Sequence, residues 1–553
     1  MRDSLHTSVA ERLERLAPDQ RAAAIAPPGP VLCVAPAGSG KTTTLVARVA
    51  WLVSSGAAQP DEIAAITFNK RAAEELRERL TVALAPLDVA AESVRVRTFH
   101  ALGLEVLRDA GAAVEPLVDR MALLRRVVPD AGPAGWRALD TAFSRLKLDL
   151  GVTAEAVAAD EDAGPTARAF VAYEAAVAET GGLDFDDLVA RSLRLLEADT
   201  ALLERWRARC AHLLVDEAQD LDRAQLRMAL LLAAPANRVF FVGDDDQSIY
   251  GWRLADVRRV LSLADELPGL RRVDLEVNYR CPPTVVGRAV RLVEHNRERF
   301  AKVIRAGPAA IGPLVLAADS ADETIRLRRV VERWPADDGT SRAILARTNR
   351  ELLPAISVAL DLGVAFRPPP VELLVASPLV DRVLDEVDGS TDGRLPLLAR
   401  VEAVRARWAA GRPDAEEDPD APRPADIAAA VLAWAVPLAT VDDLRSAIAA
   451  RRRSQADLCR DDAALTLATA HGTKGLEFDH VAVIGLDAGR FPSRRSVAES
   501  GDPIRALEEE RRLAYVAWTR ARRSLTLVYD PLVPSEFMLE AFTPEELGLP
   551  AAA

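Results

Sequence analysis

The stretch that most limits what this 553-residue chain can become is APAGSGKT at 35–42. It follows a strand-like apolar run, Val31–Ala35, and leads into a helical pattern. A glycine-rich turn between a strand and a helix gathers backbone amides and the positive end of the helix around one point, which suits phosphate oxygens. Ala35 stands where the general pattern has its first glycine, while Gly38, Gly40, Lys41 and Thr42 keep the rest of it. In such a loop Lys41 reaches the β and γ phosphates and Thr42 binds Mg²⁺. Pro36, Ala37, Ser39 and Thr43 complete the cradle.

A loop of this kind requires strands alternating with helices, and the chain supplies them. Strand-like runs recur at Ile63–Phe68, Val94–Thr98, His212–Asp216 and Val239–Gly243, with helical patterns such as Lys70–Leu80 and Arg223–Ala233 between them. A second set follows at Arg342–Arg347, Leu465–Thr469, His480–Gly485 and Leu525–Tyr529. Alternation of this kind implies parallel βαβ units, and the length exceeds what one core usually supports, so two α/β domains are expected. Two stretches break the rhythm. Residues 106–185 are rich in Ala, Leu and Arg and read as a helical insertion. Residues 368–455 open on Pro368–Pro370, and their Pro- and Asp-rich ARWAAGRPDAEEDPDAPRPAD reads as a loop or flexible link.

Two further segments carry chemistry. In LLVDEAQD at 213–220 an apolar strand ends in two carboxylates. At the carboxyl end of a strand in an open α/β sheet they face the ligand site, where Asp216 would hold Mg²⁺ and Glu217 would position and deprotonate a water. In VGDDDQSIYGWR at 242–253, Gln247 is a neutral donor suited to sensing a γ-phosphate, and Trp252 is an aromatic platform on which a base could stack.

With these three segments in this order the chain resembles the superfamily 1 helicases of the UvrD/Rep/PcrA type. LAPDQ at 16–20 looks like the adenine-reading motif and implies a role for Gln20. ITFNKRAAEEL at 66–76 and RTFHALG at 97–103 look like the DNA-touching motifs Ia and Ib, through Phe68, Thr98 and His100. LDFDDLV at 183–189 matches the stretch that returns from the helical insertion. LEVNYRCPP at 275–283 implies that Tyr279 stacks on adenine and that Arg280 contacts the γ-phosphate. RAILARTNRE at 342–351 offers Arg347 and Asn349 to the DNA backbone. TAHGTKGLEF at 469–478 puts Glu477 at the ribose and His471 in a DNA-holding loop. EEERRLAYVAWTRAR at 508–522 makes Arg520 an arginine finger, a group worth roughly 10³–10⁵ in rate in related enzymes.

The resemblance implies two RecA-like motor domains, 1–105 with 186–279 and 280–367 with 456–553, carrying insertions 106–185 and 368–455. It also implies ATP and Mg²⁺ as cofactors, and single-stranded DNA and its junctions with duplex as partners. Movement 3′ to 5′ is carried over from the family. The interval between Arg280 and His471 is several tens of residues shorter than is usual, so the second insertion is expected to be reduced, with a protein partner in its place or unwinding curtailed. In motif Ia, NKRAA stands where the family usually has TNKAA. About thirty residues follow the last motif, too few for a fused nuclease. Two other readings are a translocase or motor subunit that does not unwind, and a scaffold without catalysis.

Composition narrows the rest. A net charge of −13 argues against a general nucleic-acid binder and would confine basic groups to a groove. No apolar run approaches a membrane span and the N-terminus lacks a signal peptide's apolar core, so a cytoplasmic protein is expected. Four scattered cysteines and six scattered histidines suggest no structural metal or disulfide. Oligomeric state is not legible.

Overall fold

The computed structural model describes residues 5–160, 162–308, 310–334, 338–370, 373–389, 395–410 and 424–549. The chain divides into two compact units, Met1–Arg280 with Val293–Ala309, and Cys281–Leu292 with Ala310–Ala553.

The first unit is built on β1 (Val31–Val34), β2 (Ile63–Thr67), β3 (Arg95–Thr98), β4 (His212–Val215), β5 (Val239–Gly243) and β6 (Arg271–Asp274). They form one parallel sheet in the order β3-β2-β4-β5-β1-β6. Alternate residues of a strand face opposite sides, and both sides here are apolar. Leu32, Val34, Ile66, Leu213, Val215 and Phe241 join one core, and Val31, Cys33, Ala65, Leu214, Phe240 and Val242 the other. That explains why these strands read as continuous apolar runs. The sequence did not announce β6, whose first two residues are exposed arginines.

Because all six strands run the same way, the loops after β1, β2, β3, β4 and β5 leave from one edge of the sheet. The phosphate loop, the acidic pair, the GDDDQ segment and the two motifs after β2 and β3 are thereby brought to one side.

Between β3 and β4 the chain makes the helical insertion, which has a core of its own around Leu124, Phe143, Phe170, Tyr173 and Val177. It is tied to the unit through LDFDDLV. Asp184 is fully buried and accepts from Arg120 (2.7 Å), Lys147 (2.8 Å) and the Tyr173 hydroxyl (2.8 Å). Burial alone would raise the Asp184 pKa, but Lys147 and Arg120 outweigh it and hold the carboxyl well below the usual range. Glu174, Asp184 and Asp187 come close enough to hold a metal ion, yet the Lys147 ammonium already lies 2.7–3.1 Å from all three.

Two short strands, β7 (Val277–Asn278) and β8 (Arg305–Ala306), pair in the first unit. Val293–Ala309 groups with the first unit, joined to it by this pairing and by the salt bridges of Arg299 and Lys302 to Asp246.

The second unit holds β9 (Leu314–Ala318), β10 (Arg342–Ala346), β11 (Phe366–Arg367), β12 (Leu465–Thr469), β13 (Phe478–Val483) and β14 (Ala521–Tyr529). They form a second parallel sheet, ordered β11-β12-β10-β13-β14-β9. Residues 368–455 read as an insertion or linker. The described part contains the helices Pro378–Asp388, Leu397–Ala410, Pro424–Ala435 and Val441–Leu458 around a shared apolar core. The ends of the Pro- and Asp-rich stretch are helical, and its middle, 411–423, lies outside the described residues. Among the described residues no helix is long and apolar enough to cross a membrane.

Candidate nucleotide site and nucleic-acid interface

The phosphate loop turns on two left-handed glycines, Gly38 (φ +69°) and Gly40 (φ +87°), a conformation that costs a residue with a Cβ. Space enforces the choice as well. A Cβ on Gly38 would stand 2.6 Å from Asn278 Oδ1 and 2.7 Å from Arg280 Cβ, and one on Gly40 would stand 2.6 Å from Gln20 Nε2. The loop is pinned at its start by Ala35 N–H donating to Gly243 O (2.7 Å). Helix Lys41–Ser54 has no side-chain cap at Gly40, so its first-turn amides, at Lys41, Thr42 and Thr43, point into the loop, where an anion is favoured.

Lys41 Nζ lies 3.8 Å from Glu217 Oε2. Glu217 holds a left-handed backbone, φ +50°, a strain of about 1–3 kcal/mol for a residue with a side chain. Its amide donates to Asp216 Oδ1 (2.9 Å), which orients that carboxylate, and Asp216 N–H donates to Ile66 O (2.8 Å). The hydroxyl of Thr42 and the carboxylate of Asp216 are hard oxygen donors of the kind Mg²⁺ takes, so the residues present suit that ion.

Gln219, which the sequence reading passed over, joins the acidic pair to the next strand. Its Nε2 donates to Glu217 Oε2 (2.5 Å) and its Oε1 accepts from Asp244 N–H (2.9 Å). Asp244 Oδ2 accepts from Gln247 Nε2 (2.7 Å). Glu217 and Gln247 thus belong to one hydrogen-bonded chain.

On the loop's other side Gln20 donates from Nε2 to Ser39 O (2.7 Å). Tyr279 N–H donates to Gly38 O (2.9 Å), and the residue is 46% exposed, which leaves room for a stacking partner. Arg280 N–H donates to Asn278 Oδ1 (2.8 Å). Gln20, residues 35–43, Tyr279 and Arg280 therefore meet around one loop.

Beyond the phosphate loop stands a group of aromatic side chains. Phe68 stacks on Tyr250 (centroids 5.0 Å apart, planes 10° apart), and Tyr250 meets Trp252 edge to face at 6.2 Å. Trp252 is 56% exposed and so does not serve as core. His100 stacks on the exposed Phe185 at 4.0 Å. Burial lowers the His100 pKa to about 4, Asp186 opposing and Arg253 adding to the fall, so the ring is neutral at pH 7. The Thr98 hydroxyl caps the following helix by accepting from Ala101 N–H (3.2 Å). Tyr250 and Phe185 were not singled out in the sequence, although both lie inside quoted motifs.

In the second unit Arg520 is buried. Its guanidinium donates to Val516 O (2.9 Å), Leu476 O (3.1 Å) and Thr519 Oγ1 (3.4 Å), which sets it beside Glu477. Glu477 in turn pairs with Arg522. Arg347 is paired with Glu510 (2.6 Å), and Asn349 Oδ1 is a buried acceptor without a hydrogen-bond partner. Burial, with Arg347 and Lys474 adding to it, lowers the His471 pKa to about 3.

A scan of family models places the UvrD/REP helicase N-terminal domain on residues 16–268 and the UvrD-like helicase C-terminal domain on 443–531. The ATP-dependent DNA helicase UvrD2 of Mycobacterium tuberculosis is 32% identical, with 92% of this chain and 77% of the relative covered. The chain belongs to the UvrD/Rep helicase family. DNA helicase II of Escherichia coli is 29% identical over 94% of this chain and 84% of its own length. The ATP-dependent DNA helicase Rep of the same organism is 26% identical over 95% and 94%. The alignment to DNA helicase II runs over 617 positions, more than the 553 residues present here, so that UvrD/Rep relative has residues this chain lacks.

Proposed function

We propose that the chain hydrolyses ATP to step along single-stranded DNA from 3′ to 5′, and that it separates strands at junctions with duplex in DNA repair, recombination or replication restart. The observation that carries this reading is the hydrogen-bonded chain Glu217–Gln219–Asp244–Gln247 beside Lys41, with Tyr250 and Trp252 a few residues further on. The relatives' names, ATP-dependent DNA helicases, support it.

In this reading Gln20 and Tyr279 hold the base, and the loop amides with Lys41 hold the phosphates. Glu217 takes a proton from the attacking water. Arg280 neutralises charge on the transferring phosphoryl group, the role that the family's last motif also gives Arg520. Mg²⁺ held by Thr42 and Asp216 would neutralise charge on the β and γ oxygens. Gln247 senses the γ-phosphate, and the short link to Tyr250 and Trp252 passes its state to the aromatic group that grips bases. Arg347, Asn349 and His471 are assigned to the DNA backbone; the Arg347–Glu510 pair would then have to open or accept phosphate alongside.

The test is ATP hydrolysis with and without single-stranded DNA, with Glu217→Gln as the blank. Strong stimulation that vanishes in the variant is expected, and hydrolysis that ignores DNA would refute the reading. Duplexes with 3′ or 5′ tails then read polarity. A translocase that strips or pulls without unwinding is favoured by one observation, the residues of DNA helicase II that this chain lacks. Stimulated hydrolysis with no strand separation on any tailed duplex would select it.

A further inference from the structure

The segment that returns to the first unit, 293–309, brings a cation into the GDDDQ loop. Asp244, Asp245 and Asp246 are three consecutive aspartates, each 2% exposed or less. Three carboxylates cannot share so dry a space unless their charge is matched. Lys302, whose side chain is 1% exposed, stands among them, with Nζ 3.0 Å from Asp244 Oδ1, 2.9 Å from Asp246 Oδ2 and bonded to Asp245 Oδ1. An ammonium group has three donors, and here each finds a carboxylate. Arg299 adds a two-pronged contact to Asp246 (3.0 and 2.8 Å), and Phe300 N–H donates to Asp245 Oδ2 (2.8 Å). Burial would discharge Lys302, but the aspartates outweigh it and raise its pKa, so it stays charged.

The consequence lies in Asp244. One of its oxygens takes Lys302 and the other takes the Gln247 amide at 2.7 Å. Its backbone N–H meets Gln219, whose amide reaches Glu217. We infer that Lys302 is a positioning residue for ATP hydrolysis, orienting Gln247 through the carboxylate of Asp244. This rests on the reading of Gln247 as the phosphate sensor. The aspartate fixes which way the Gln247 amide turns, and the lysine fixes the aspartate. The chain thus leaves the first unit, passes through 281–292, and comes back to complete the sensor loop.

The experiment measures kcat and KM for ATP, with saturating single-stranded DNA, in Lys302→Met, Gln247→Ala and the double variant. Thermal unfolding confirms that each is folded. Removing a group that orients a reacting one commonly costs on the order of 10- to 100-fold, so a fall of that size in kcat, with KM little changed, is expected for Lys302→Met. On the Gln247→Ala background the lysine should matter no further, because its effect passes through the missing amide. A folded Lys302→Met protein with wild-type kcat overturns the proposal, as does a loss that multiplies with that of Gln247→Ala. Wild-type turnover in Gln247→Ala instead overturns the sensor reading and takes the positioning role with it. Should Lys302→Met fail to fold, Lys302→Met with Asp245→Asn and Asp246→Asn removes two of the carboxylates with the cation. The same comparison in that protein then decides: restored kcat means the lysine only balances charge, and continued loss means it positions Asp244.

Discussion

The two helical insertions each have an apolar core of their own but are tied to their units differently. The first is fastened to its motor unit by ions: Lys147 and Arg120 of the insertion reach Asp184, Asp186 and Asp187 of LDFDDLV, and Phe185 of the same stretch stacks on His100. The second coheres through an apolar core of Val380, Val401, Val431, Leu444 and Ile448. It also meets the rest of its unit through half-exposed pairs such as Arg350–Asp426 (2.7 Å) and Arg451–Asp361 (3.0 Å). Apolar contacts tolerate small shifts, whereas a buried ion pair is stable in one geometry and costly in others. The first insertion is therefore keyed to a fixed seat beside the aromatic group by buried ion pairs, while the second rests on weaker, half-exposed ones.

Four measurements test this contrast. Lys147→Met leaves buried carboxylates unmatched and should cost about 3–5 kcal/mol in denaturant unfolding; a cost under about 1 kcal/mol would mean the seat is not ionic. Leu444→Ala should cost about 2–4 kcal/mol. That loss should appear as faster hydrogen exchange in 378–458 and leave 120–180 unchanged; a change in both would mean that the insertions are coupled. Acid should separate the two. Asp184 has a depressed pKa, so its stabilisation is present above the unfolded value of about 4 and is lost as pH falls below it. Exchange corrected for intrinsic rates should therefore loosen 120–180 before 378–458 as pH is taken progressively below about 4, and simultaneous loosening would remove the distinction. Arg451→Ala should change stability by less than about 1 kcal/mol, since water and salt screen an exposed pair; a larger loss would make that tie structural.

Much of the fold was readable because buried parallel strands are written as apolar runs. Nine of the strands follow runs read from the sequence, to within a few residues at their ends, and helix Arg223–Ala233 was bounded as it stands. The strands that escaped had reasons: β6 begins with exposed arginines, β7, β8 and β11 have two residues each, and the residues of β9 are mostly half-buried. The four helices of the second insertion were hidden by Pro- and Asp-rich flanks that read as loop. At the candidate site the residues proposed to carry the chemistry, among them Lys41, Asp216, Glu217 and Gln247, lie in motifs that stand out in the sequence. Those that act by holding others were not. Gln219, Asp244 and Lys302 look like ordinary polar residues until the chain brings them together.

By itself the sequence determined the α/β class, the phosphate loop, the ordered motifs and thereby the family. These depend on local spacing: a strand, a turn with two left-handed glycines and a helix are set within a dozen or so residues. The tertiary structure alone decided which distant side chains share a space. It brought Lys302 to the aspartates of GDDDQ, joined Gln219 to Asp244, set Phe185 against His100, and seated the first insertion on Asp184. The physical reason is that a buried charge acquires its meaning from its neighbours. Those neighbours lie tens of residues away in the chain and are chosen only when the cores close.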